Sequence, residues 1–251
     1  MKKFKNPNPN HTSSSNELII YGRHAVISAL KNPNRRIKKL QITEDNKKEI
    51  DALGLNISYQ ITERKDIDKL FPKDAVHQGF ALHTSRLESI ALEDLIALSK
   101  NKDKCHILIL DQVSDPQNIG AIIRSCAAFN TLGLIVQDKN SPLETASMVK
   151  ASAGTIEFLP ICRTTNLNRA IEKLKDNDFW VIGMDGYATT TIDKINKSGK
   201  TAIVMGSEGK GMRRLVEENC DSTVKLPISE NVESLNVSTA AAIALYELNK
   251  D

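Results

Sequence analysis

Apolar residues fall into two textures along this chain. From residue 105 onward, short apolar runs (Cys105–Leu110, Gly133–Val136, Ile156–Pro160, Phe179–Met184, Ala202–Met205 and Thr223–Pro227) alternate with stretches of helical spacing at 121–129, 143–152, 167–176 and 237–249. Runs of strand length that are mostly apolar suit strands covered on both faces, and the intervening helices supply the crossovers. This half therefore predicts an α/β fold with a mostly parallel, doubly wound sheet. Before residue 86 the pattern is shorter in wavelength. Leu18–Ile20 leads into a segment whose Ala25, Ile27, Ala29 and Leu30 line one helix face, ended by Asn32-Pro33-Asn34. A strand over Ile37–Thr43, a charged helix over Asp45–Leu53, a strand over Asn56–Ile61, a small helix near Ile67–Leu70 and a strand over Phe80–His83 complete a separate αβ module of ordinary domain size.

The chain thus divides into a tail at 1–16, a front module at 17–86, a linker at 87–104 that contains a brief helical pattern (Leu92, Leu95, Ile96), and a body at 105–251. The tail, rich in Asn, Ser, Pro and Lys, has little apolar area to bury and is expected to be mobile and basic. No apolar stretch approaches the roughly 20 residues of a membrane span, and the opening residues are too polar for a signal-peptide core. A soluble cytoplasmic protein with no membrane partner is expected.

Charge sharpens the division. Residues 1–86 carry 16 Lys and Arg against 9 Asp and Glu, whereas residues 87–251 carry 18 against 22. A basic front on a mildly acidic body points to a polyanion held by the front while the body does other work, although a solvated basic surface gives the same count. Cys105, Cys126, Cys162 and Cys220 show no paired spacing and are expected as reduced, mostly core thiols. The five histidines never pair at helical spacing or beside a cysteine, so no metal is expected.

Three loops concentrate the remaining chemistry. In Gly206-Ser207-Glu208-Gly209-Lys210-Gly211 the glycines follow an apolar run in the order G-x-x-G-x-G, which fits neither the dinucleotide fingerprint nor the phosphate loop. Glu208 also sits where phosphate oxygens would have to approach, and like charges repel. A carboxylate in a tight loop suits a cationic or hydroxyl-bearing ligand instead, such as a sulfonium or a ribose; a plain glycine turn with a solvated Glu is the alternative. In the segment Asp111–Gly120, polar residues crowd a strand end and Asn118 is a candidate helix cap. Arg124 then interrupts the apolar face of Ala121, Ile122, Cys126 and Ala127, either for an anionic ligand or for a local salt bridge. Ser234-Leu235-Asn236-Val237-Ser238 precedes an alanine-rich helix, with Asn236 or Ser238 as its cap.

Asn118-x-Gly120-x-x-x-Arg124, Met205-Gly206-Ser207-Glu208-Gly209 with Leu226-Pro227-Ile228, and Ser234-Leu235-Asn236-Val237-Ser238 resemble, in order, the three signature motifs of the SpoU/TrmH family. These are SPOUT-class RNA ribose 2′-O-methyltransferases that use S-adenosylmethionine. Tyr21-Gly22-Arg23-His24-Ala25-Val26 and Val76-His77-Gln78-Gly79 resemble the two ends of the L30e/L7Ae-like domain carried by its RlmB-type members, which modify a guanosine of 23S rRNA. The resemblance implies a trefoil knot in the C-terminal body, contrary to general rules of chain threading, and a homodimer with sites near the subunit interface. It also implies roles. Arg124 would contact the target phosphate and help activate the hydroxyl, Glu208 would orient the ribose or Arg124, and Asn118, Ser234 and Asn236 would position substrate and loop. Gly206, Leu226 and Leu235 would hold the cofactor through backbone groups, with Ile228 as an apolar wall. The front module would bind RNA through Arg23, Lys31, Arg35, Arg36, Lys38 and Lys39, with Tyr21 and Tyr59 as the nearest stacking residues.

Three other functions compete at this level. The same chemistry on tRNA or another rRNA nucleotide fits equally, a non-catalytic RNA-binding assembly factor would keep the fold but has no need of Arg124, Glu208 and Asn236, and a Rossmann-type metabolic enzyme lacks its fingerprint.

Overall fold

The computed structural model describes residues 16–250. Apart from Asn16, the expected basic tail lies outside the described residues. The front module is built from β1 (Glu17–Tyr21), α1 (Arg23–Lys31), β2 (Ile37–Ile42), α2 (Lys47–Asp51), β3 (Tyr59–Ile61), α3 (Arg64–Asp68) and β4 (Phe80–Ser85). Its sheet runs β1-β4-β2-β3, antiparallel on both sides of β4 and parallel between β2 and β3. Phe80, Ala81 and Leu82 of the central β4 are fully buried.

A second sheet of six strands is wholly parallel, in the order β10-β8-β9-β5-β6-β7. Its strands are β5 (Cys105–Leu110), β6 (Gly133–Gln137), β7 (Ile161–Thr164), β8 (Phe179–Met184), β9 (Lys200–Met205) and β10 (Ser222–Val224). Helices α4 (Leu92–Ala97), α5 (Pro116–Ala128), α6 (Ala146–Ala151), α7 (Leu167–Lys175), α8 (Arg214–Glu218) and α9 (Val237–Asn249) surround it. Period-2 alternation divides the core by face. Leu108 and Leu110 pack with α5, α9 and the front module, whereas Ile107 and Ile109 pack with α7.

One expectation needs correction. The apolar run Ile156–Pro160 is not a strand. Its first residues form a 3₁₀ turn, Thr155–Glu157, that buries Ile156 beneath α1, and the strand begins only at Ile161. Within segment 87–104, Leu95 and Ile96 of α4 are buried with Ile107 and Ile171, and Ile90 bridges to Cys162. Among the described residues, no helix is long and apolar enough to cross a membrane.

Sheet order positions the site. Strand order reverses between β5 and β9, whose last residues Leu110 and Met205 are paired. Loops leaving the carboxyl ends of two strands at such a reversal diverge and open a crevice, the usual ligand position in open α/β sheets.

Candidate functional site

Asp111, at the end of β5, is fully buried and donates its backbone N–H to Met205 O at 2.8 Å. Its carboxylate accepts from the backbone N–H and the Nε of Arg213, each at 2.8 Å. The β5 loop is thereby tied to the far side of the Gly206–Gly211 loop. A polar residue directly after an all-apolar strand was the available signal for Asp111, yet nothing local in the sequence pairs it with Arg213. Between these anchors the glycine loop closes on itself: Ser207 N–H donates to Gly211 O at 3.1 Å and Gly211 N–H to Ser207 O at 2.9 Å. A Cβ on Gly206 would come within 2.1 Å of the Gly211 carbonyl carbon, so only glycine allows this closure. Burial and closure at the base leave Glu208 projecting, exposed, from the tip.

The cap of α5 is Asp115, which accepts from Gln117 N–H at 3.0 Å, with Pro116 at the first helical position. Asn118 is therefore not the cap, as the sequence suggested, but a first-turn residue whose side chain is released for other work. At α9 the cap is Asn236: its Oδ1 accepts from Ser238 N–H at 2.9 Å and Thr239 N–H at 3.4 Å. The Nδ2 of the same side chain turns outward and donates to Glu208 Oε1 at 2.7 Å and Asn118 Oδ1 at 2.9 Å. Asn118 Nδ2 donates to Glu208 Oε1 at 3.1 Å, and Val237 N–H donates to it at 3.2 Å. Three residues far apart in sequence thus form one ring of hydrogen bonds. Glu208 Oε1 is shared among three donors, and Oε2 has no hydrogen-bond partner among the described residues.

The ring does not include every expected residue. Arg124 is exposed and makes no ion pair or hydrogen bond among the described residues. Six residues on from Asn118, it stands about 9 Å further along α5 and about a third of a turn away. Ser234 is exposed and also outside the ring. Gly206, Leu226 and Leu235 are half-buried, and Ile228 is exposed. Backbone polar groups, three apolar side chains and one carboxylate are a donor set that suits an adenosine carrying a sulfonium better than a phosphate.

In the front module the expected RNA contacts separate into two kinds. Arg23 pairs with Glu49, Arg36 with Glu88 at 3.5 Å, and Lys38 with Glu17, all at exposed positions where a phosphate can replace the carboxylate at little cost. Lys31 and Lys39 are exposed without an ion pair among the described residues. Arg35 is different and corrects the sequence expectation: its side chain has no exposed surface and is held by Glu144 and Glu157 of the body, so it cannot meet RNA. The two aromatics are engaged as well. Tyr21 packs on Phe71 with ring centroids 4.6 Å apart, and the Tyr59 hydroxyl donates to Asp51 at 2.7 Å. Burial pushes the thiols of Cys126 and Cys220 up to about 12 and that of Cys162 to about 11, which leaves them protonated at neutral pH.

Comparison with known proteins supplies a matching pattern over the whole chain. Residues 106–246 match the SpoU rRNA methylase family, and residues 19–89 match the RNA 2′-O ribose methyltransferase substrate-binding domain. A 23S rRNA (guanosine-2′-O-)-methyltransferase, RlmB, from Shewanella oneidensis is 37% identical over 235 residues, 91% of this chain and 95% of that protein. A putative TrmH family tRNA/rRNA methyltransferase, YacO, from Bacillus subtilis is 36% identical over 237 residues, 91% and 94% of the respective chains. Among solved structures, the SpoU methyltransferase AviRb from Streptomyces viridochromogenes, in complex with the cofactor AdoMet, superposes with a TM-score of 0.80 at 19% identity, covering 97% of this chain and 93% of that one.

Proposed function

Because this chain belongs to the SpoU rRNA methylase family, we propose that it methylates a ribose 2′-hydroxyl of 23S rRNA, at a guanosine, using S-adenosylmethionine. One observation carries the assignment to this site: Asn118, Glu208 and Asn236 meet in a single hydrogen-bonded ring at the strand-order reversal. The donor supplies an electrophilic methyl on a sulfonium centre. Everything else asked of the protein is alignment and removal of a proton from a weakly acidic hydroxyl.

Gly206, Leu226 and Leu235 hold the cofactor through backbone groups, and Ile228 walls it on the apolar side. The open Oε2 of Glu208 is the acceptor for a ribose hydroxyl, while Oε1 is fixed by its three donors. Asn118 and Asn236 keep that carboxylate from rotating, and Ser234 positions the loop that carries Asn236. Arg124, a planar fork of donors with no acceptor, organises the reaction by gripping the phosphate of the target nucleotide, which itself assists the proton's departure. Lys31, Lys39, Arg23, Arg36 and Lys38 provide phosphate contacts from the front module.

The protein works in the cytoplasm as a homodimer. Ile243 and Tyr246 are 40% and 53% exposed on α9, which packs on α5, and an apolar face there fits a partner subunit. A second copy would also bring Arg124 to a ring that it does not join within one chain. The body carries the trefoil knot of its class, and the front module, 17–86, is the RNA-binding unit. The test is to map ribose methylation on ribosomal RNA from cells lacking the protein, before and after incubation with purified protein and S-adenosylmethionine. One 23S guanosine should lose its mark and regain it in vitro. A restored mark on tRNA alone, or none, would overturn the assignment.

A further inference from the structure

Helix α1 of the front module is fastened to the body along its whole length. At its C-terminal end, Arg35 Nε and Nη2 grip Glu157 at 3.0 and 2.6 Å; Nη2 also reaches Glu144 at 2.7 Å, and Nη1 donates to Ser85 O at 2.9 Å. Asn32 adds bonds from Nδ2 to the backbone oxygen and Oε2 of Glu157, both at 2.9 Å. In the middle, Gly154 lies so close that a Cβ would come within 2.6 Å of Ser28 Cβ and 2.8 Å of His24 O. At the N-terminal end, Lys150 reaches over from α6 to Val76 O at 3.0 Å and Gln78 Oε1 at 3.3 Å.

The fastening continues to the catalytic helix. The partners of α1 lie on α6 and the 3₁₀ turn after it, and α6 packs on α5 where a Cβ on Gly120 would meet Met148 O at 2.4 Å. Gly120 is two residues from Asn118. Contacts that tight leave no room for sliding, so the two modules share one register. Glu144 adds a second route: its Oε2 accepts from Leu87 N–H at 2.7 Å, and its loop touches the β5 loop through Ser141 Oγ, which donates to Val113 O at 3.4 Å.

We propose that Arg35 is a positioning residue, the latch by which segment 144–157 sets the distance and orientation between RNA held on the front module and the catalytic helix α5. This rests on the RNA methylation reading above. It makes α6 a spacer, and it predicts that breaking the latch harms only substrates long enough to engage both modules. A buried Arg with two buried carboxylates from another module has no phosphate role left to it, and loss of one partner leaves an uncompensated charge that drives the surfaces apart.

The test uses the full-length protein and its Arg35→Gln and Asn32→Ala variants. Arg35→Gln should lower kcat/KM about 10- to 100-fold on a long 23S fragment that spans both modules. It should leave the rate on a short oligonucleotide carrying the target ribose, and S-adenosylmethionine binding by calorimetry, at wild-type values. Small-angle X-ray scattering of the free protein should show a larger radius of gyration, and Arg35→Lys should restore part of both effects. Equal losses on long and short RNA, or a loss on neither, would overturn the proposal, as would unchanged scattering. Loss of cofactor binding in Arg35→Gln would mark a folding defect, and Asn32→Ala, which removes only a neutral donor, then decides by the same split. If the wild-type protein methylates no ribosomal RNA, the functional reading fails, while scattering still decides whether the latch exists.

Discussion

Two polar networks in this molecule are each assembled from residues far apart in sequence, and they differ in what surrounds them. The Arg35–Glu144–Glu157 cluster is sealed from water, and the guanidinium spends three nitrogens on four acceptors. The Asn118–Glu208–Asn236 ring sits on the surface, with Glu208 Oε2 and Arg124, nearby along α5, both without a partner among the described residues. A saturated buried network fixes geometry, because a lost partner leaves a buried polar group unsatisfied. An exposed, incompletely satisfied one contributes little stability and keeps valences for a substrate. A carboxylate thus serves as a fixed anchor in one network and keeps an unused oxygen in the other, according to burial and the number of donors around it.

Substitutions can separate the two. The largest effect on stability is expected from Glu157→Ala, which leaves Arg35 Nε without its acceptor and Glu144 as the remaining carboxylate partner, and should cost about 1–3 kcal/mol in urea unfolding. A cost below about 1 kcal/mol would show that the cluster is wetter than its burial indicates. Arg124→Ala should do the reverse, lowering the methylation rate about 100- to 1000-fold with cofactor binding retained. Its unfolding free energy should stay within about 0.5 kcal/mol of wild type; simultaneous loss of cofactor binding would recast Arg124 as structural. Asn236→Ala blurs the line by design, because that residue both caps α9 and pins Glu208. It should cost about 1 kcal/mol of stability and reduce methylation as well, and a stability loss without an activity loss would remove Asn236 from the site.

The parallel sheet was legible in the sequence because burial on both faces writes unbroken apolar runs, as in Ile107–Leu110 and Ala202–Met205. The same signal misled at Ile156–Pro160, since a run can be apolar because it lies under a helix from another module. The three loops that converge at the ring were legible from residue types that make no sense in a core. Arg35 was not, because a basic residue among Arg36, Lys38 and Lys39 looks like its neighbours until Glu144 and Glu157 are placed opposite it. Asp111 escaped for a related reason: its partner, Arg213, lies 102 residues away. Local pattern reports exposure well and says little about which charge meets which.

The separation of the ring residues along the chain has a kinetic consequence. Asn118 must wait for Glu208, 90 positions later, and for Asn236, 118 positions later. Contacts of such long loop closure are among the last to be made. Local helices are therefore expected to return first in refolding, with the ring and the Arg35–Glu157 pair, 122 positions apart, both among the late contacts.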